Sequence, residues 1–192
     1  MIENKIEFKF FFNKFNLLKK CDKNNKIFVS NNEYLNNVVN TLGSSSYRKG
    51  LFRIYGESEI EENTKSVEEA FPNARDEIIC FGRDWLNRQF AVRKKDSDKI
   101  FRFDVVYNET IHIPVDLKIF FEKEVLEHTD SLFSETYFHE WKTKNKGLTL
   151  ACNQCVDFKI PPSLGGKDIV ENLEITDSSV AWYMNLQLRS KD

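Results

Sequence analysis

Cys80-Phe81-Gly82-Arg83-Asp84-Trp85-Leu86-Asn87-Arg88-Gln89-Phe90 is the stretch whose reading decides the fold. Ile78-Ile79-Cys80-Phe81 enters it as an apolar run and Phe90-Ala91-Val92 leaves it as another, with turn formers and fixed charges between. Two short apolar runs around so brief a polar connection predict paired strands. Working outward, Gly50–Tyr55 reads as a strand before them, and Ile100–Val105, alternating with period two, as a strand after them with one buried face. Short strands joined by short loops favour an antiparallel meander over a parallel, doubly wound sheet. Leu117, Phe120, Phe121, Val125 and Leu126 then mark one helix, and Phe133, Tyr137, Phe138 and Trp141 a second. Helices following strands as a block predict an α+β fold: a mainly antiparallel sheet with helices packed on one side, in a single domain.

The first 45 residues are expected to form an N-terminal helical extension packed on a main body spanning residues 46–192, because about 42 residues are too few to stand alone comfortably. Phe8, Phe11, Phe12, Phe15 and Leu18 share one helical face, although alternating Ile6, Phe8 and Phe10 also allow a strand. Ile27-Phe28-Val29 is a short strand candidate, and Asn31 or Asn32 caps a helix carrying Leu35, Val38, Val39 and Leu42 before the loop Gly43–Ser46. Ser58 with Glu61 forms a capping box for a helix that Pro72 ends. Leu148–Ala151 and Val156–Ile160 are strand candidates, Pro161–Asp168 a shaped loop, and Val180–Leu188 a helix or strand.

Composition narrows the function classes. The 28 basic residues against 30 acidic ones leave a net charge of −2, without the basic footprint that phosphate neutralisation needs, so direct nucleic-acid binding is not expected. No apolar run approaches the roughly 20 residues that cross a bilayer, and the N-terminal Phe residues are broken by Lys9, Asn13 and Lys14, unlike a signal peptide. The expectation is a cytoplasmic protein, away from membranes, monomeric or weakly dimeric. Cys21, Cys80, Cys152 and Cys155 do not look like a disulfide framework in a chain of 192 residues, which fits a reducing compartment.

Catalytic patterns fall short. Cys152-Asn153-Gln154-Cys155 is half a zinc site without its second pair, and two partly buried thiols on a strand pair is the better reading. His139-Glu140 begins a zinc-protease signature that Thr143 ends. Gly165-Gly166-Lys167 resembles the end of a phosphate loop, but Pro161 and Asp168 occupy positions that need Gly and Ser or Thr. No catalytic residue, metal or cofactor is therefore expected. Two readings compete for Asp84, Trp85, Arg88 and Gln89: a tryptophan plugging the core edge beside a charge-held turn, or a loop presenting interface anchors to a partner. The acids from Glu57 to Glu69, Glu61 and Glu62 among them, read either as a solvated helix face or as a docking face for a basic partner.

Four segments together resemble one family: Gly50-Leu51-Phe52-Arg53-Ile54; Cys80–Phe90; Cys155–Asp168 with its Pro161-Pro162-Ser163-Leu164-Gly165-Gly166-Lys167-Asp168; and Glu171-Asn172-Leu173-Glu174 with Val180 and Trp182. They resemble the immunity-type domain at the C-terminus of type VI secretion DNase-immunity proteins, similar in layout to the SUKH superfamily of toxin-immunity proteins, over roughly residues 48–188. The family pattern has Gly where this chain has Asn87, Gly-Tyr at Asp157-Phe158 and Leu-Phe at Pro162-Ser163. The resemblance implies a bacterial α+β protein that binds and neutralises a cognate toxin encoded next door, often a nuclease, without catalysis. Asp84, Trp85, Arg88, Gln89, Gly165, Gly166, Lys167, Asp168, Glu61 and Glu62 are the candidate partner-binding residues. A general intracellular protein-binding or regulatory module, and an enzyme with an unrecognised site, are the alternatives.

Overall fold

A computed structural model describes residues 8–21, 26–95 and 99–189. Its framework is a seven-stranded antiparallel meander whose strands lie side by side in chain order. After a short helix α1 (Lys9–Lys14) come β1 (Leu17–Lys20), helix α2 (Glu33–Leu42), β2 (Ser45–Tyr47), β3 (Phe52–Ile54) and helix α3 (Glu57–Ala70). β4 (Ile78–Asp84), β5 (Gln89–Arg93), β6 (Ile100–Asp104) and β7 (Glu109–Ile113) complete the sheet. A helical block follows: α4 (Leu117–Ile119) runs through a π turn (Phe120–Glu124) into α5 (Val125–Glu127), then α6 (Thr129–Phe133) and α7 (Glu135–Lys144). A separate hairpin, β8 (Gln154–Phe158) with β9 (Leu173–Asp177), leads into the last helix, α8 (Ser178–Arg189). The chain is thus a single α+β domain, as the short strands followed by a block of helices predict.

Phenylalanine fills the space under the sheet. Phe52, Phe81 and Phe90 point at Phe120, Phe121 and Phe133, with ring centroids 4.8 to 6.5 Å apart. The π turn sends the adjacent rings of Phe120 and Phe121 inward together, 5.3 Å apart and nearly perpendicular, a placement that a regular helical turn disfavours. Consecutive residues of a strand face opposite ways, and β6 shows what lies on each side. Arg102 donates to the carbonyls of Ser131 and Leu132 in α6, whereas Phe103 meets Phe71 at the end of α3, 5.1 Å between centroids. Helices α4 to α7 cover one face; α3 and α8 close the other.

The N-terminal segment is woven into this core. Phe11 stacks on Phe15 and meets Tyr47 and Phe121 edge-on, and β1 pairs with β2 as the first strand of the sheet. The helix ends at Lys14, four residues earlier than the apolar stripe implies, because Leu17 and Leu18 enter β1. Ile27–Val29 forms no strand. Asn40 of α2 instead donates to and accepts from the Phe28 backbone (2.9 and 2.8 Å), and Asn36, one turn earlier, does the same for Ser30 (3.0 and 2.7 Å). Two asparagines four apart on one helix face thus satisfy alternate residues of an extended chain, as a strand would. Leu148–Ala151 also stays irregular, and the cap of α3 falls two residues before the expected one: Gly56 donates its N–H to Glu59 at 3.0 Å.

The cysteine reading is corrected. Cys21, just after β1, and Cys152, just before β8, form a disulfide across 131 residues with Cα atoms 5.6 Å apart. Cys80 and Cys155 are free and buried, each thiol pushed up to about 12 by that burial. No described helix is long and apolar enough to cross a membrane.

Phe121 touches both the N-terminal helix and the central strands, so Phe121→Ala should lower unfolding free energy by about 3–5 kcal/mol. Urea titration followed by tryptophan fluorescence measures this; a loss under 1 kcal/mol would place the core elsewhere.

Candidate functional site

Asp84, Trp85, Arg88 and Gln89 lie inside the molecule, each under a tenth exposed. Asp84 ends β4, and its Oδ1 accepts the N–H groups of Leu86 and Arg88 at 3.0 Å while Oδ2 takes Arg88 Nε at 2.5 Å. Burial pushes the Asp84 carboxyl up, and the charge and hydrogen bonds of Arg88 oppose that rise. Asn87 holds the left-handed turn at φ 65°, and its amide nitrogen donates to the Ser178 carbonyl at 2.8 Å. Gln89 accepts from the Tyr55 hydroxyl at 2.7 Å. Trp85 donates Nε1–H to the Phe133 carbonyl at 2.8 Å and packs on Tyr137, Phe138 and Trp141. These four side chains build the interior and leave a partner almost nothing to touch.

The loop after β8 is exposed but ordered by its own bonds. Asn172 clamps it, donating to the Ile160 and Lys167 carbonyls (2.8 and 2.9 Å) and accepting the Ile160 N–H (3.1 Å). Gly166 passes so close to the Ile160 carbonyl that a Cβ would lie 1.7 Å from its oxygen. Asp168 accepts the hydroxyls of Tyr107 (3.0 Å) and Tyr137 (3.1 Å); burial and that carboxylate push both phenols up, which keeps them protonated donors. Gly166 and Asp168 therefore shape the loop, whereas Gly165 and Lys167 face solvent with Leu164, 62% exposed.

Glu61 and Glu62 stand on the open face of α3, with Glu61 paired to Lys65 at 2.6 Å, which holds its carboxyl below the usual range. Beside α3 lies α8, joined by Trp182 Nε1–H to the Ser66 carbonyl (3.1 Å) and Arg189 to the Ala70 carbonyl (3.1 Å). Its inward face carries Ala181, Trp182 and Asn185; its outward face carries Val180, Tyr183 and Met184, all more than half exposed. A recess of about 80 Å³ lies between the two helices, lined by Glu62, Ser66, Glu69, Trp182 and Tyr183. The ridge formed by α3 and α8 thus combines an apolar stripe with a row of carboxylates. Sequence reasoning found the acids and missed the stripe, although Val180, Tyr183 and Met184 at offsets 0, 3 and 4 are the signal for it once a helix is assumed.

No family model matches the chain, and no curated protein does. Among solved structures it is similar to Atu4351 from Agrobacterium tumefaciens, with a TM-score of 0.68 and 20% identity over 97% of this chain and 89% of that one. At that identity the likeness is one of fold.

Asp84→Ala should cost about 3–5 kcal/mol because Arg88 is left buried without its carboxylate. Gly166→Ala should leave the melting temperature within a few degrees while reshaping the 160–169 loop. Amide chemical-shift changes confined to that loop would confirm this; changes spread through the sheet would refute it.

Proposed function

We propose that this chain is an immunity-type protein, a non-catalytic inhibitor that binds and neutralises a cognate bacterial toxin in the cytoplasm. The observation that carries the reading is the α3–α8 ridge. Val180, Tyr183 and Met184, exposed by 56, 58 and 54%, form an apolar stripe on a helix anchored along its whole length, next to Glu62 and Glu69. Apolar and aromatic anchors within a polar rim are what protein interfaces bury at their centres. Acids at that rim suit a partner with a basic surface, as a nuclease's substrate groove is, because opposite charge speeds encounter and fixes orientation.

The four segments that resemble the immunity-type domain support the same reading through their positions. Gly50–Ile54 and Cys80–Phe90 build the strands and turn beneath the ridge, and the last segment supplies β9 and the start of α8. An inhibitor of this type needs a firm complementary surface and no reactive group. The buried turn and the clamped loop then serve as scaffold, while Glu61, Glu62 and the α8 stripe provide contact. Lys167 at the loop tip offers a second, smaller point of contact.

Co-expression with the adjacent open reading frame should rescue cells from the toxicity of that frame, and the two products should co-purify. Tyr183→Ala should weaken the complex by about thirtyfold or more, the loss of one interface anchor, and Glu62→Lys with Glu69→Lys should slow association. Titration calorimetry and stopped-flow mixing measure these. Neither rescue nor a complex, with a folded protein, would sink the reading; a complex with a non-toxic partner would make the chain a general binding module instead.

A further inference from the structure

We propose that the Cys21–Cys152 disulfide is a thiol-exchange site that accepts a small thiol of the glutathione class, with Arg53 holding the departing Cys21 sulfur. The bridge is half-buried on the wall of an open cleft of about 340 Å³, at the small end of the range for ligand clefts. Polar groups dominate the lining: Arg53, Arg83, Glu59, Asn63, Asn153 and Ser178. A thiol-bearing peptide carries both carboxylates and amide groups, which such a wall can match.

Arg53 makes the two sulfurs unequal. It is buried on β3; its Nη1 donates to Cys21 Sγ while Nη2 is ion-paired with Glu59. The carboxylate offsets part of its charge and fixes its orientation. Arg83 adds a second guanidinium to the cleft, fastened to the Cys152 and Gln154 carbonyls at 3.0 Å. Exchange proceeds fastest when the sulfur that leaves is the one better stabilised as a thiolate. The incoming thiolate therefore attacks Cys152 Sγ. A new S–S bond forms there, the Cys21–Cys152 bond breaks, and its electron pair departs on Cys21, beside Arg53. A second small thiol then attacks the incoming sulfur of the mixed disulfide. Cys152 is freed as a thiol, two protons end on the two cysteines, and the two small thiols leave oxidised as their own disulfide. Cys80 and Cys155 stay outside this chemistry because both are buried and their thiols remain protonated.

The bridge ties the chain end of β1, the first strand of the sheet, to the loop that precedes β8. All four β1 residues are exposed, so β1 itself is held by its backbone pairing with β2 and by this tie, while the buried phenylalanines before it anchor the segment to the core. In a thiol-rich compartment persistent disulfides are rare, and those that do form are transient and redox-sensing.

The oxidised protein, mixed with reduced glutathione, quenched in acid, alkylated and digested, should show glutathione on Cys152 and the alkyl group on Cys21. Arg53→Met should slow the first step about three- to tenfold, and Arg53→Lys should restore most of the rate. Glutathione on Cys21 instead, or no exchange while circular dichroism shows a folded protein, would overturn the proposal. Should Arg53→Met fail to fold, the position of glutathione in the unmodified chain decides it alone.

Discussion

The structure turns on one buried carboxylate. Asp84 sits where β4 becomes a turn, and three donors, two backbone N–H groups and the Arg88 guanidinium, converge on it. A charge taken from water is costly unless it is paired and hydrogen-bonded, and these three donors hold the turn to the geometry that supplies them. That geometry sets the next residue. Trp85 uses its backbone N–H on Leu51, its carbonyl on the N–H of Val156 (3.1 and 2.8 Å) and its indole N–H on Phe133. One tryptophan thus joins the meander to the helical block and to the separate β8–β9 hairpin. Losing the carboxylate would free a turn at which the meander, the helical block and the hairpin all meet.

Much of this was legible in the sequence where one property carried the signal. Apolar runs around Asp84 gave β4 and β5, alternation gave β6, and the phenylalanines from Leu117 to Trp141 gave the helical block. Legibility failed where residues substitute for one another chemically. Ser45 and Ser46 are buried in β2, yet a run of serines reads as a loop because their hydroxyls serve local turns equally well. Asn36 and Asn40 act as a surrogate strand for residues 28 and 30, which no periodicity announces. The disulfide joins residues 131 apart, and local pattern holds no information about such a pairing. At the candidate site, type and position parted company: Trp85 and Arg88 have the composition of an interface and the burial of a core.

The same distinction bears on how a binding surface is kept ready. A side chain held at the interface loses freedom on association, and that cost falls when the backbone beneath it is already fixed. On α8 the inward residues Trp182 and Asn185 are bonded to Ser66 and Asp157, at 3.1 and 2.8 Å, which leaves Val180, Tyr183 and Met184 on a helix that cannot roll. Burial raises the Asp157 carboxyl, and the Asn185 and Phe158 donors counter it, so this anchor too is a polar pair enclosed by the fold. Rigid polar joints below and apolar side chains above are a consistent division of labour.

Redox chemistry at Cys21–Cys152 would act first at the edge of the sheet, although Glu62 of the ridge also lines the disulfide cleft. The disulfide fastens the edge of the sheet, whereas the α8 joints to Ser66, Ala70 and Asp157 involve no sulfur. Yet the two are not remote. Ser178 begins α8 and lines the disulfide cleft, and its N–H bonds to the carbonyl of Asn153, the neighbour of Cys152, at 2.8 Å. Its own carbonyl is the one that Asn87 grips from the central turn. A change in the loop carrying Cys152 therefore reaches the first turn of α8 through the Ser178 N–H bond and through Asn153 Nδ2–H to Asp177 (2.9 Å), whose carboxylate caps Ser179 and Val180, and the Asp84 turn resists it through Asn87. Which of those bonds is stiffer determines whether opening the disulfide alters the ridge or only the sheet edge. The buried carboxylate behind Asn87, held by three donors, favours the central turn, so the ridge should keep its shape while the edge loosens.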